Sequence, residues 1–230
     1  MKRYILIATI LISAINFSHA QIYEIGKVMD LYSTNQIHNG EWKNILSEDD
    51  IKGSPYLNDE FITSTIFTTS KYQFIDILLR YNIYNDELEF KTPTNEVQAL
   101  ATPEIIEFVE FDGYKMVYIP FTTTKKIRRG FFIVEEEGEA SLFKRLEIIF
   151  KKAEEPGAYK EAEPPKFVKK SDSYYIRINT EMAKKVGSKN ELLEIFPDHK
   201  DEISTFVKKN KVKTSKPEKL KELVRYYNSL

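Results

Sequence analysis

From Phe61 to Phe150 the chain is cut by turn-forming residues into short runs of β-branched and aromatic residues, and no helical repeat of apolar residues interrupts them. Asn85-Asp86, Pro93-Thr94-Asn95, Asp112-Gly113 and Gly138 make the cuts. β-Branched and aromatic side chains fit a pleated surface, whereas Asn, Asp, Gly and Pro supply turn geometry. The pattern predicts strands near 61–69, 73–84, 87–91, 96–100, 105–111, 114–122, 128–137 and 140–152. Parallel neighbours need a crossover of a dozen or more residues, usually helical, so strands this closely spaced must pair antiparallel. The expected fold class is α+β: an antiparallel β-sandwich or open barrel of about eight strands, followed by a small, mostly helical C-terminal unit.

The segment LLRYNIYNDELEF, residues 78–90, illustrates the pattern. With Asn85-Asp86 as a two-residue loop, Ile83 faces Leu88 and Tyr81 faces Phe90. Leu79, Tyr81, Ile83, Leu88 and Phe90 then share an inward face. Arg80, Asn82, Tyr84, Glu87 and Glu89 point outward, with Arg80 diagonal to Glu89 in an exposed ion pair worth under about 1 kcal/mol. Alternation accounts for the segment without any chemistry.

Residues 153–172 are rich in Pro, Ala and charge and read as an extended connection pinned by Tyr159 and Phe167. SYYIRI at 173–178 reads as a strand, paired with 182–186. The remainder is helical. Ser188 and Glu191 form a capping box ahead of Leu192, Leu193, Ile195 and Phe196. Pro197 suits the first turn of a second helix carrying Ile203, Phe206 and Val207, and Ser215 with Glu218 reads as a second capping box. Leu220, Leu223, Val224 and Tyr227 follow at i, i+3, i+4 and i+7, the stripe of an amphipathic helix. The domain reading is therefore 1–20, 21–152, 153–172 and 173–230.

The first twenty residues have the layout of a secretory signal peptide. Lys2-Arg3 precede an apolar stretch from Tyr4 to Ile15, and Ser18-His19-Ala20 leads to a cut before Gln21. The chain has no cysteine, so disulfides, thiolate metal sites and lipid attachment through cysteine drop out. Charge is uneven: residues 21–150 carry 13 Lys+Arg against 22 Asp+Glu, and residues 151–230 carry 19 against 13. Such a split suggests two surfaces with different partners. The stretches GSPYLNDEF (53–61), LRYNIYNDELEF (79–90) and LLEIFPDHKDEISTFVKKNKVK with LVRYYN (192–213, 223–228) resemble exported proteins of the Bacteroidota with no assigned activity. The resemblance implies export from a Gram-negative cell and brings no catalytic residue with it. The helical end differs from the β-rich sorting domain of that phylum's own secretion route, which favours the periplasm.

The residues that could carry chemistry are few. His38 and His199 stand apart, with neither a second histidine nor a cysteine at ligand spacing. Asn-Asp-Glu at 58–60 and 85–87 lacks the spaced acids of a calcium loop and reads as turn chemistry. Ser141 and Lys144 match S-x-x-K, but on a strand they face opposite ways. No nucleophile, metal or acid–base constellation stands out, and no cofactor is expected. Seven lysines between 208 and 221 form the sharpest charge feature. Lys208, Lys209, Lys211 and Lys213, with Phe206 and Tyr227, are the candidate partner-binding residues. They would meet an envelope protein or anionic envelope material rather than nucleic acid. The leading expectation is a non-catalytic periplasmic binding or assembly protein, an accessory of an outer-membrane-associated complex. The alternative is a carrier of a small apolar ligand or lipid inside the β-domain.

Overall fold

The computed structural model describes residues 51–123, 126–154, 156 and 162–230. The leader-like residues 1–20, the stretch up to Asp50 with His38, and Tyr159 lie outside the described residues. The strands are β1 (Ile62–Thr68), β2 (Gln73–Asn82), β3 (Glu87–Lys91), β4 (Val97–Ala99), β5 (Ile106–Phe111), β6 (Tyr114–Thr122), β7 (Ile127–Glu136), β8 (Ala140–Arg145), β9 (Ile148–Lys151), β10 (Lys166–Lys169), β11 (Ser173–Ile178) and β12 (Lys184–Lys185). The helices are α1 (Lys189–Ile195), α2 (Lys200–Lys209) and α3 (Pro217–Tyr227).

Ten strands form one antiparallel sheet in the order β12-β11-β8-β7-β6-β5-β1-β2-β3-β4, open at both ends, and β9 and β10 form a separate ribbon. The fold is thus α+β, an open antiparallel sheet followed by three short helices. Residues 173–185, read above with the C-terminal unit, extend this same sheet through β11 and β12. The run 140–152 divides at Leu146-Glu147, and its second half pairs with Phe167 and its neighbours, so the connection 153–172 also contains a strand.

The sheet curls twice, in opposite senses. Pairing puts Met116, Tyr118, Phe131 and Ile133 on one face of β6 and β7, and Val117, Ile119, Phe121 and Phe132 on the other. On the first face, the Tyr81 and Phe131 rings lie 5.7 Å apart, although β1, β5 and β6 separate their strands. A flat sheet would hold those strands about 19 Å apart at roughly 4.8 Å per step. The first half therefore rolls over a core that includes Leu79, Tyr81, Leu88, Val109, Phe111 and Met116, each at most 2 % exposed. On the second face, a parallel bridge joins Phe121 to Ala183 just before β12. The Thr122 N–H donates to the Ala183 carbonyl and the Ala183 N–H to the Pro120 carbonyl, both at 3.0 Å. This second curl encloses Ile119, Phe121, Phe132, Phe143, Tyr175 and Ala183, with Phe132 set edge-on to Phe121, Phe143 and Tyr175.

The helices cover the outside of the second curl. Ala140, Leu142, Ile176 and Ile178 of the sheet share a core with Leu192, Ile195, Phe196, Ile203, Val207, Leu220, Leu223, Val224 and Tyr227. Ser188 caps α1 as its sequence predicts, accepting from the Glu191 N–H at 3.3 Å while Glu191 reaches back to the Ser188 N–H. The second capping box does not form. Pro217 sits in the first turn of α3, which makes Lys216 the cap, and no side-chain cap bond is made there. Pro197 likewise lies outside α2, whose cap is His199 in the left-handed region at φ 49°.

Ion pairs flank the docked helix. Register shifts between Val134 and Glu136, and the bulge turns Glu135 toward Lys144 at 2.9 Å and Lys221 of α3 at 2.7 Å. Arg225 meets Glu136 at 2.7 Å. Burial alone would raise the Glu135 carboxyl, but hydrogen bonds from Lys221 and Lys144 outweigh it and hold the group below the usual carboxylate range. Because the folded value is depressed, the stability this contact adds is present above the unfolded value. It is lost as pH falls through the lower folded one, a window below pH 4.5. Thermal melts should therefore fall less steeply with acid in Glu135→Gln than in the native protein. An identical acid profile would remove Glu135 from the account.

Candidate binding surfaces and buried polar clusters

The segment 78–90 is a hairpin, with a different register from the simplest reading. Tyr81 pairs with Leu88, Leu79 with Phe90, Arg80 with Glu89 and Asn82 with Glu87. The loop is thus four residues, Ile83 to Asp86. Asn82 Oδ1 accepts from the Asn85 N–H at 3.0 Å, and Asp86 takes the left-handed conformation at φ 59°. A slip of two residues keeps every side chain on its face, so Leu79, Tyr81, Ile83, Leu88 and Phe90 are all buried as expected.

The polar face is not the solvated surface expected. Glu89 is 3 % and Asn82 6 % exposed. Residues 55–57 run across the end of β2: the Leu57 N–H donates to the Tyr81 carbonyl at 3.0 Å and the Ile83 N–H to the Pro55 carbonyl at 2.8 Å. Beneath this cover the Arg80 guanidinium donates to Glu89 Oε2 at 2.7 Å and to the Tyr56 hydroxyl at 2.9 Å, and lies 3.7 Å over the Tyr56 ring. Asn82 Nδ2 donates to Glu89 Oε1 at 3.0 Å, so both carboxylate oxygens are engaged. The pair, with Glu89 buried and Arg80 partly so, is a multiply bonded anchor for residues 54–61 rather than a fully exposed contact.

A second cluster closes the seam of the first curl. β8 ends at Arg145, leaving the Phe131 backbone of β7 without a strand partner on that side. Asp86 and Arg145 take the vacant places. Asp86 Oδ1 accepts from the Phe131 N–H at 3.2 Å and from the Tyr81 hydroxyl at 2.7 Å. Arg145 Nη1 donates to the Phe131 carbonyl at 3.1 Å and Nη2 to Asp86 Oδ2 at 2.8 Å. Gly130 makes this possible, because a Cβ there would sit 2.4 Å from Asp86 Oδ2 and 2.5 Å from Arg145 Nη1. Burial, then the Asp86 charge, pushes the Tyr81 hydroxyl well above its ordinary value, so it remains a donor. Burial alone would lower the Arg145 guanidinium, but Asp86 more than offsets it. Both Asp86 oxygens are thus engaged, one by the Phe131 N–H and the Tyr81 phenol, the other by Arg145.

The candidate partner-binding residues do not lie together. Lys208 and Lys209 in the last turn of α2, and Lys211 and Lys213 just after it, are exposed. Phe206 is half-buried, its ring stacked on Tyr226 at 4.3 Å. Tyr227 is 4 % exposed and belongs to the core beneath the helices. Its hydroxyl donates to Asp198 at 2.6 Å, and burial with that carboxylate raises it far above the ordinary range. Two further lysines of the run serve the fold, Lys219 pairing with Glu222 at 2.6 Å and Lys221 with Glu135, whereas Lys216 is exposed.

The sheet offers a different surface that sequence reasoning missed. Ile75 and Leu78 of β2 are 57 % and 40 % exposed, with Leu78 beside Thr63, while Phe67 farther along β1 is half-buried and stacked on Phe108. Only the register, with its bulge between Ser64 and Ile66, reveals that Ile75 and Leu78 both face outward. A cleft of about 650 Å³ opens between the end of β6, β12 and α1, lined by Thr122, Thr123, Tyr175, Lys184, Glu191 and Glu194 among others.

The remaining motifs fall into structural roles. Asn58 Nδ2 donates to Asp112 at 2.8 Å, and Ser54 donates to Asp59, so the first Asn-Asp-Glu turn is bonded within the fold. Among the described residues no three His, Cys, Asp or Glu side chains gather as a metal-ligand group. Ser141 donates to the Gly138 carbonyl at 3.0 Å, whereas Lys144 reaches Glu135 from the opposite face of β8. His199 lies with its ring 6.2 Å from that of Tyr227. Among the described residues no helix is long and apolar enough to cross a membrane. No family model, curated protein or solved structure matches this chain.

Proposed function

We propose that this chain is a non-catalytic binding or assembly protein of the bacterial envelope, exported to the periplasm or the periplasmic face of the outer membrane. There it would be an accessory of a protein complex. The observation that carries this reading is the combination of filled curls with an outward apolar patch. Tyr81, Phe111, Phe131, Phe132 and Phe143 are all 2 % exposed or less and pack the two curls. A carrier of an apolar ligand needs roughly 300–1,000 Å³ of mostly apolar pocket. The cleft beside β12 has the volume, but Lys184, Lys185, Glu191 and Glu194 line it. Ile75 and Leu78 instead leave two large apolar side chains outward on β2, exposure of the kind that can meet another protein. The signal-peptide layout of residues 1–20 supports export.

Affinity purification from detergent-solubilised envelopes, read by mass spectrometry, should recover one recurrent envelope protein. Ile75→Asp with Leu78→Asp should weaken that capture by roughly thirtyfold or more, the cost of removing a central apolar anchor. Recovery of a bound lipid by native mass spectrometry, with no protein, would turn the assignment to a carrier.

A further inference from the structure

The lysine run separates into two groups that chemistry treats differently. Lys219 and Lys221 are committed to Glu222 and Glu135. Between Lys208 and Pro217 there are five lysines, Lys208, Lys209, Lys211, Lys213 and Lys216, and no acidic residue. All five are exposed, and none is in an ion pair among the described residues. They occupy one short stretch from the end of α2 through the turn to the cap of α3. The half-buried Phe206–Tyr226 stack flanks it, with Phe206 three residues before Lys209 on the same side of α2.

We propose that this stretch is a peripheral contact with an anionic lipid surface. Charge complementarity points to an anionic partner, and the choice of residue points to a lipid surface. A shaped acidic peptide is best read by arginine, whose planar fork grips a carboxylate at two points. This patch holds only lysine, compact charges on flexible stems that suit a diffuse array of phosphate head groups. Aromatic rings beside lysines are the composition of a surface that settles at the head-group level. This contact is distinct from the apolar patch on β2 and does not depend on it. One surface would hold a protein while the other rests on the bilayer.

Co-sedimentation of the purified protein with vesicles provides the test. Binding is expected to vesicles of phosphatidylcholine with about one-third phosphatidylglycerol, and not to phosphatidylcholine alone, and to fall steeply with added salt. Replacing Lys208, Lys209, Lys211 and Lys213 together by Gln should lower the partition coefficient on the order of several hundredfold, about fivefold for each charge. Lys219→Gln, at a lysine already paired, should change it little, and both variants should melt as the native protein does. Equal binding to neutral vesicles, or native-like binding by the fourfold variant, would overturn the proposal. So would capture of an acidic envelope protein through these lysines with no vesicle binding.

Discussion

A chain cut after Gly187 is expected to aggregate, or to melt far below the intact protein. The cut removes α1, α2 and α3, and uncovers Ala140, Leu142, Ile176 and Ile178 on the outer face of the second curl. Leu220, Leu223 and Val224 are each fully buried, and fully burying such a side chain is worth roughly 1.5–3 kcal/mol. Those three alone approach the 5–15 kcal/mol or so that a typical domain has in total. The Asn228 side chain would go with them. It clasps both backbone groups of Ala140, accepting from the N–H at 2.8 Å and donating to the carbonyl at 2.9 Å. In the intact chain, Leu223→Ala should cost about 2–5 kcal/mol. Size-exclusion chromatography and thermal melting read both results. A truncated protein that stays monomeric and melts like the parent would reduce the helices to an appendage.

Asp86→Ala should be among the most damaging single substitutions outside the aromatic core. It leaves the Arg145 guanidinium, the Tyr81 hydroxyl and the Phe131 N–H without their acceptor at once. Breaking a buried pair from one side typically costs about 3–5 kcal/mol. The side chains here are about one-fifth exposed, which places the expectation toward the lower end of that range. Arg145→Met in the Asp86→Ala background should recover part of the loss, because the unpaired charge is then gone. Gly130→Ala offers an independent approach, since its methyl group would force the same pair apart from beneath. Chemical denaturation of the single and double variants measures the coupling. Additive effects would mean that Asp86 and Arg145 do not act together.

What the sequence reveals about this fold follows from how local each signal is. Strand limits at Gln73, Glu87 and Tyr114 agree with the turn residues that precede them, because a turn is specified by its own few residues. The Ser188–Glu191 cap is equally local. The break at Leu146-Glu147 carries neither glycine nor proline, so a continuous strand was the natural reading. Alternation identified the face on which Glu89 lies and said nothing of what covers it. The cover, residues 54–61, is irregular chain without a period to read. Asp86 and Arg145 are 59 residues apart, and only the curl of the sheet brings them together. For the same reason the outward exposure of both Ile75 and Leu78 depends on a bulge that no residue type announces. Tyr227 was legible as a member of a helical stripe. Assigning it to the core rather than to a partner requires knowing that the sheet lies beneath it.

The occupied seam at Phe131 also bears on what else could pair there. A strand whose neighbour has ended presents a free N–H and a free carbonyl, a template on which a foreign extended chain can form cross-β contacts. Asp86 and Arg145 fill both positions with side chains that cannot propagate a ladder. The place where β8 departs is thereby closed to strand addition. Opening it would expose a pairing edge in the middle of the sheet, beside some of its most hydrophobic residues. Breaking the pair would then favour self-association as well as unfolding.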